Sequence, residues 1–327
     1  MQGSLYLTEE EYQHMIDRRN EVGHEEYKYL NLMQHILDNG IEKSDRTGTG
    51  TKSLFGAQLK FDLSKSFPIL TTKKVFWKGV VEELLWFIRG DTNSKHLEEK
   101  GVKIWQGNTS REFLDKLNLN YYPEGWIGPG YGYQWRKWNG PYITELPKEN
   151  QEAYFKDAMI VNRVGFSGID QLADVVERIK TNPNDRRMIV SAWNPSQLNI
   201  TALPPCHVLF QFYVENGRLH LQWFQRSNDF LLGSPFNISS YALLTCLIAK
   251  ITGLQPGTIT YSMGDVHLYM NHIEQAKEQL TRTPYPFPTL NIKNDIKTLK
   301  DIENLQFEDI ELVGYQSHAA IKAPMAV

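Results

Sequence analysis

This chain of 327 residues has little with which to cross a membrane, cross-link itself or cling to a polyanion. No apolar run approaches the roughly 20 residues of a membrane-spanning helix. The N-terminal stretch to Glu21 is polar and acidic and lacks the apolar core of a secretory leader. Only two cysteines occur, Cys206 and Cys246, too few for a disulfide framework and in keeping with a reducing, cytoplasmic setting. Zinc-type spacing is absent, so no metal is expected. Charge is nearly balanced, 35 Lys+Arg against 38 Asp+Glu for a net −3. That balance speaks against DNA, RNA or a membrane surface as partner, and any anion must be recognised locally. There is no internal repeat and no low-complexity segment. What is present is an ordinary globular mixture, 41% hydrophobic and 12% aromatic, long enough to bury a large core.

Periodicity places the main elements. Tyr29, Met33, Ile36 and Leu37 recur at helical spacing over residues 26–39, with Gly40 as a stop. A Gly/Thr-rich loop, Asp45-Arg46-Thr47-Gly48-Thr49-Gly50-Thr51, precedes a strand over Leu54–Leu63. Val81, Leu84, Leu85 and Ile88 mark an amphipathic helix ending at Gly90. Residues 121–140 are dense in Gly, Pro, Tyr and Trp and read as a long structured loop. Residues 140–166 read as an irregular insertion, and 169–180 as a helix. Residues 206–214 and 219–227 are strand-like and flank Asn216-Gly217, the strongest short hairpin signal. With those two residues as the loop, Cys206 faces Ser227 and His207 faces Arg226; a bulge would shift this register by one. Asn237 is placed to cap a helix over Ile238–Thr252, apolar nearly all round and ended by Gly253. A strand over Thr258–Tyr269 and a helix over 271–280 follow.

Chemistry concentrates around Cys206. Two prolines precede it in Leu203-Pro204-Pro205-Cys206-His207, so a strand begins after them and the thiol stands at its entrance. The hairpin brings Arg226 near, and a cation beside a thiol favours the thiolate nucleophile. The residues alone leave two readings open, a buried structural thiol and a nucleophile. Cys246 lies mid-helix among leucines and reads as core. Arg46, the pair Arg186-Arg187, and Arg226 carry guanidinium forks that suit a phosphate, though each alone is more often solvated or ion-paired. His267 and Tyr269 share a strand face. Of Glu82 and Glu83, one is expected on a solvated face and the other inward. Trp77, Trp86, Trp105, Trp126, Trp135 and Trp138 offer flat surfaces for a planar ligand or simply pack the core.

Taken together, several ordered motifs resemble the thymidylate synthase family. They are the Asp45–Thr51 loop, Phe67-Pro68-Ile69-Leu70-Thr71-Thr72-Lys73-Lys74, Glu83-Leu84-Leu85-Trp86-Phe87 and Tyr131-Gly132-Tyr133-Gln134-Trp135-Arg136. Asn184-Asp185-Arg186-Arg187, Pro204-Pro205-Cys206-His207, Gln225-Arg226-Ser227, Pro235-Phe236-Asn237, His267-Leu268-Tyr269 and Met325-Ala326-Val327 complete the set. The likeness runs from about residue 26 to the end. It implies an α+β fold with a large mixed sheet flanked by helices, and a homodimer formed through the sheet face. Residues 1–24 are then an N-terminal extension, and 25–327 one catalytic domain with the insertion near 140–166.

The resemblance further implies reductive methylation of dUMP to dTMP, with 5,10-methylenetetrahydrofolate supplying carbon and hydride. Cys206 is similar to the nucleophile that adds to uracil C6. Arg226, Arg46, Gln225 and Ser227 match substrate-side positions, with Arg226 tuning the thiol. Arg186 and Arg187 match a pair donated across the dimer interface. Asn237 matches the amide that reads the uracil edge, and His267 and Tyr269 match ribose ligands. Glu83 resembles the acid–base residue, with Tyr131 and His207 in its polar network and Asp229 holding the pterin. Ile104, Trp105, Leu232, Gly233 and Phe236 match folate-side packing, and Met325 and Ala326 a tail that closes over the site. The chain departs from the common family pattern at Gln106, Trp126, Gly130, Asn228 and Ser234; the last two replace a glycine and a valine. A pyrimidine hydroxymethylase, which captures the methylene with water, and a non-catalytic nucleotide- or RNA-binding homologue are the competing readings. Products separate the first, and the intact Cys206, Arg226 and Asn237 speak against the second.

Overall fold

The strand-like runs assemble into one six-stranded mixed sheet. The structure, a computed structural model, describes residues 23–45, 47–151 and 167–325. Most of the N-terminal extension, Arg46, residues 152–166 of the insertion, and Ala326 therefore lie outside the described residues. The strands of this sheet are β1 (Ile41–Lys43), β2 (Thr51–Asp62), β3 (Ile189–Ser191), β4 (His207–Glu215), β5 (Arg218–Asp229) and β6 (Gln255–Tyr269), while Thr289–Ile292 and Ile310–Val313 pair in a separate two-stranded sheet. Their spatial order is β1-β2-β6-β5-β4-β3. Every pairing is antiparallel except β5 with β6. A parallel pair needs a crossover, which a long helix supplies here.

The principal helices are α1 (Glu26–Asn39), α2 (Trp77–Ile88), α3 (Gly132–Lys137), α4 (Gln171–Thr181), α5 (Gly233–Thr252) and α6 (Ile273–Leu280). The crossover helix α5 is buried on nearly every side and packs on β5, β6 and α2, as its uniformly apolar sequence requires. It ends at Gly253 in the left-handed conformation, φ 73°. Along β5, burial alternates: Leu219, Leu221, Trp223 and Gln225 face the helices, while Gln222 and Phe224 are exposed. Tyr213 of β4 and Phe55 of β2 are also exposed.

Asn216 and Gly217 turn the β4–β5 hairpin with φ of 50° and 72°, the signs a type I′ turn demands. The pairing Glu215↔Arg218 follows the expected register, but a bulge between His207 and Leu209 shifts the far end by one. His207 consequently faces Gln225, and the Arg226 backbone N–H donates to the Cys206 carbonyl at 3.0 Å. The thiol thus stands opposite Arg226 rather than Ser227.

Two further readings need correction. Asn237 is not a cap, because α5 starts at Gly233 and Asn237 lies inside it. Pro235 is tolerated because first-turn N–H groups have no helical acceptor. The loop over 121–140 contains α3, whose first residue, Gly132, packs on the Phe87 backbone. A Cβ there would sit 2.3 Å from the Phe87 carbonyl oxygen, so only glycine permits that approach.

Candidate active site

The bulge at the start of β4 assembles a thiol, a cation and a phenol. Arg226 donates from Nε to the Pro205 carbonyl (2.9 Å) and from Nη2 to the Pro204 carbonyl (2.8 Å). The two prolines, which cannot donate from their own nitrogens, thereby anchor the guanidinium through their oxygens. So held, Nη2 lies 3.9 Å from the Cys206 Sγ. Trp193 lies beneath it, ring centroid 5.5 Å from the guanidinium carbon. The Cys206 N–H donates to the Tyr131 hydroxyl at 2.9 Å. Tyr131 has φ 37°, a strained conformation for a side-chain-bearing residue, and its ring stacks on Phe87. Burial, and then the nearby Cys206, push its phenol well above the ordinary range.

Glu83 projects from α2 into the same space. Trp105 donates its indole N–H to Glu83 Oε1 at 2.8 Å. Burial pushes the Glu83 carboxyl up to about 7, against that opposing hydrogen bond. A carboxyl balanced near neutrality can give or take a proton at working pH. The expectation that one of the two glutamates is solvated is not met. Glu82 is buried too and pairs with Lys100 at 2.6 Å.

His207 lies between the rings of Tyr131 and Tyr241. Burial lowers its imidazole to about 4, although a hydrogen bond with Asn237 pulls the other way, so the ring is neutral near pH 7. Asn237 donates its amide N–H to Gln225 Oε1 at 3.0 Å. Glu83, Trp105, Tyr131, Cys206, Arg226, His207, Asn237 and Gln225 therefore form one contiguous polar centre.

A second group adjoins it at the ends of β5 and β6. Asp229 Oδ1 accepts from the N–H groups of Leu231 (3.1 Å) and Leu232 (3.0 Å), fixing the turn into α5. Leu232, Gly233 and Phe236 are half-buried there. Asp229 is paired in register with His267, which contacts Asp265 (2.9 Å), and Ser227 with Asp265. Tyr269 pairs with Thr51, so the Asp45–Thr51 loop ends beside it. Asp45 organises that loop by accepting from Thr47 and Gly50 N–H groups at 3.0 and 2.8 Å. Ile104 is half-buried next to Trp105, and Met325 is exposed.

Arg186 and Arg187 are not brought into this centre. They precede β3, level with Phe212, whose N–H bonds the Met188 carbonyl. Six strand residues, roughly 20 Å, separate that level from Cys206. Both are exposed, and Arg187 bonds Asp185 at 2.9 Å, holding its carboxyl well below the usual range. Cys246, expected in the core, is half-buried and packs against the core, its thiol pushed up to about 12 by desolvation. Among the described residues no cluster of His, Cys, Asp and Glu could hold a metal, and no helix is long and apolar enough to cross a membrane.

Sequence reasoning missed three neighbours. Lys73, buried, donates to the Leu231 carbonyl, and burial lowers its ammonium to about 8 against the pull of Asp229. His272 bonds the Pro324 carbonyl at 2.7 Å, with its other nitrogen 3.9 Å from Asp229. Trp193 supports Arg226. Lys73 lies in a quoted motif, but nothing local marks His272 or Trp193.

The thymidylate synthase family model matches residues 27–327. The chain belongs to the thymidylate synthase family. It is similar to human thymidylate synthase, 51% identical over 304 residues that cover 93% of this chain and 91% of that one. A rice protein named putative bifunctional dihydrofolate reductase-thymidylate synthase is 52% identical over 93% of this chain and 58% of its own length. A Paramecium tetraurelia bifunctional dihydrofolate reductase-thymidylate synthase is 47% identical over 97% of this chain and 66% of its own length. The chain spans about half the length of the plant bifunctional relatives it matches, 51% to 58%. The family's α+β architecture, a large mixed sheet flanked by helices, is the one described above.

Proposed function

We propose that residues 25–327 form one catalytic domain, a cytoplasmic thymidylate synthase that converts dUMP and 5,10-methylenetetrahydrofolate to dTMP and dihydrofolate. The observation that carries this is the Cys206 thiol beside the Arg226 cation, with Tyr131 near both that thiol and the Glu83 carboxyl, which burial pushes up to about 7. The Cys206 sulfur forms a bond to uracil C6, and the electron pair moves to C5 and O4. C5 then bonds to the one-carbon unit of the folate and gives up its proton. Breaking the carbon–nitrogen bond to the carrier leaves an exocyclic methylene. The carrier, as tetrahydrofolate, supplies a hydride and departs as dihydrofolate, while the C6–sulfur bond breaks and frees the enzyme. Glu83 and its neighbours manage the protons, and Arg226 first stabilises the thiolate and then binds phosphate.

Asn237 reads the uracil edge, its N–H donating to O4 and its carbonyl accepting from N3–H. Arg46, Ser227 and Gln225 serve the nucleotide, His267 and Tyr269 the ribose. Asp229, Ile104, Trp105, Leu232, Gly233 and Phe236 serve the folate, under a lid formed by Met325 and Ala326. Arg186 and Arg187 serve a second copy of the chain. This is supported by their distance from Cys206 and by the exposed sheet face carrying Tyr213, Gln222 and Phe224. Mass identification of both products tests the reading. dTMP with dihydrofolate is expected; 5-hydroxymethyl-dUMP with tetrahydrofolate, or no turnover, overturns it.

A further inference from the structure

Two of the departures from the family pattern meet in the core. Ser234 donates its hydroxyl to Asn228 Oδ1 at 2.6 Å, and Asn228 donates its amide N–H to the Tyr261 oxygen. Tyr261 donates to Gln225 Oε1 at 2.7 Å, the oxygen that also accepts from Asn237 at 3.0 Å. Gln225 donates its own N–H to the Ser227 carbonyl at 3.0 Å. All five side chains are buried. A glycine and a valine at positions 228 and 234 could form no such chain.

We infer that Ser234, Asn228 and Tyr261 are positioning residues that set uracil-over-cytosine selectivity by fixing which way the Gln225 and Asn237 amides face. The inference rests on dUMP being the substrate that Asn237 reads. An amide can be turned over within almost the same volume, and only its partners decide its orientation. Here each donor leaves one arrangement for the next group. The Ser234 hydroxyl requires the Asn228 oxygen on its side, which turns the Asn228 N–H groups to Tyr261. Tyr261, its oxygen occupied as an acceptor by Asn228, spends its single proton on Gln225 Oε1. Gln225 Oε1 then accepts an N–H from Asn237.

So oriented, Asn237 presents a donor and an acceptor matching a carbonyl and a ring N–H, the uracil edge. Turned over, it would match an amino group and a bare ring nitrogen, the cytosine edge. His207, a neutral imidazole that can donate or accept, does not choose between them. Tyr261 is well built to choose. Its ring is stacked against Trp223 at 4.2 Å, and Tyr241 stacks on the same indole at 4.5 Å. Burial also keeps its phenol protonated far above neutral pH.

The test measures dUMP and dCMP affinity for the full chain and for Tyr261→Phe, Ser234→Ala and Ser234→Thr, with a thermal melt of each. Losing the Tyr261 proton should narrow the dUMP:dCMP ratio by roughly five- to tenfold, the worth of one buried hydrogen bond. Ser234→Ala should narrow it less, and Ser234→Thr, which keeps the hydroxyl, should restore it. A ratio unchanged in Tyr261→Phe and Ser234→Ala, whatever the melting temperatures, overturns the inference. If Tyr261→Phe does not fold, the Ser234 pair decides alone. A wild-type chain with no preference for dUMP would overturn the substrate reading itself, a separable result.

Discussion

Glu83 should trade stability for catalysis in a pH-dependent way. Its carboxyl titrates at about 7 in the folded chain against 4.5 as its ordinary value. Below about 4.5 the group is protonated in both states and burial carries no penalty. Between those values the unfolded chain releases its proton first, so this group lowers stability as pH rises, and the full penalty persists above 7. The gap corresponds to roughly 3 kcal/mol. Glu83→Gln removes the charge but keeps an acceptor for the Trp105 indole. The variant should melt roughly 5 °C above wild type at pH 8. The difference should shrink toward zero at pH 4.5. Turnover should fall by about 10²- to 10⁴-fold, the usual worth of a general acid–base group. Paired melts across that range and steady-state rates at pH 7.5 supply the comparison. A variant no more stable at pH 8, or a difference that does not vary with pH, would show that the buried Glu83 charge carries no such penalty.

Cys206 should be the thiol that alkylating reagents find at pH 8, with dUMP protecting it, while Cys246, pushed up to about 12, stays intact by peptide mass. Tyr131→Phe removes the acceptor of the Cys206 N–H and should lower stability by about 1 kcal/mol in denaturant titrations. The same variant should lower kcat/KM, because the thiol is then less firmly placed. Arg187→Ala and Cys206→Ala should each be inactive alone, yet mixed and refolded together they should recover part of the activity, since one site in the mixed dimer is whole. Absence of recovery would mean that each chain's site is self-contained.

Much of this was legible in the chain. Helical periodicity placed α1, α2 and α4, and Asn216-Gly217 placed the hairpin, because these signals are local. The bulge at His207 was not, since the pairing of strand ends depends on how Pro204 and Pro205 hand their carbonyls to Arg226. The start of α5 was misplaced because Asn237 is a good cap in isolation, whereas its amide is engaged by Gln225 instead. That both Glu82 and Glu83 are buried was not legible either, because Glu82 is covered by Lys100, eighteen residues on. Trp193 and His272 were invisible for the same reason: their roles arise from contacts distant in sequence. The motif residues of the site were found through their likeness to a family. Their convergence, and the wire from Ser234 to Asn237, required the fold.

Addition of Cys206 to uracil C6 makes C5 a nucleophile that must give up its hydrogen. The direct measurement uses dUMP carrying tritium at C5, with methylenetetrahydrofolate. Wild-type protein should release tritium to water in step with dTMP formation, and Cys206→Ser should release none. Tritium release that persists in Cys206→Ser, or dTMP formed by that variant at the wild-type rate, would mean that C5 is activated without the Cys206 thiol.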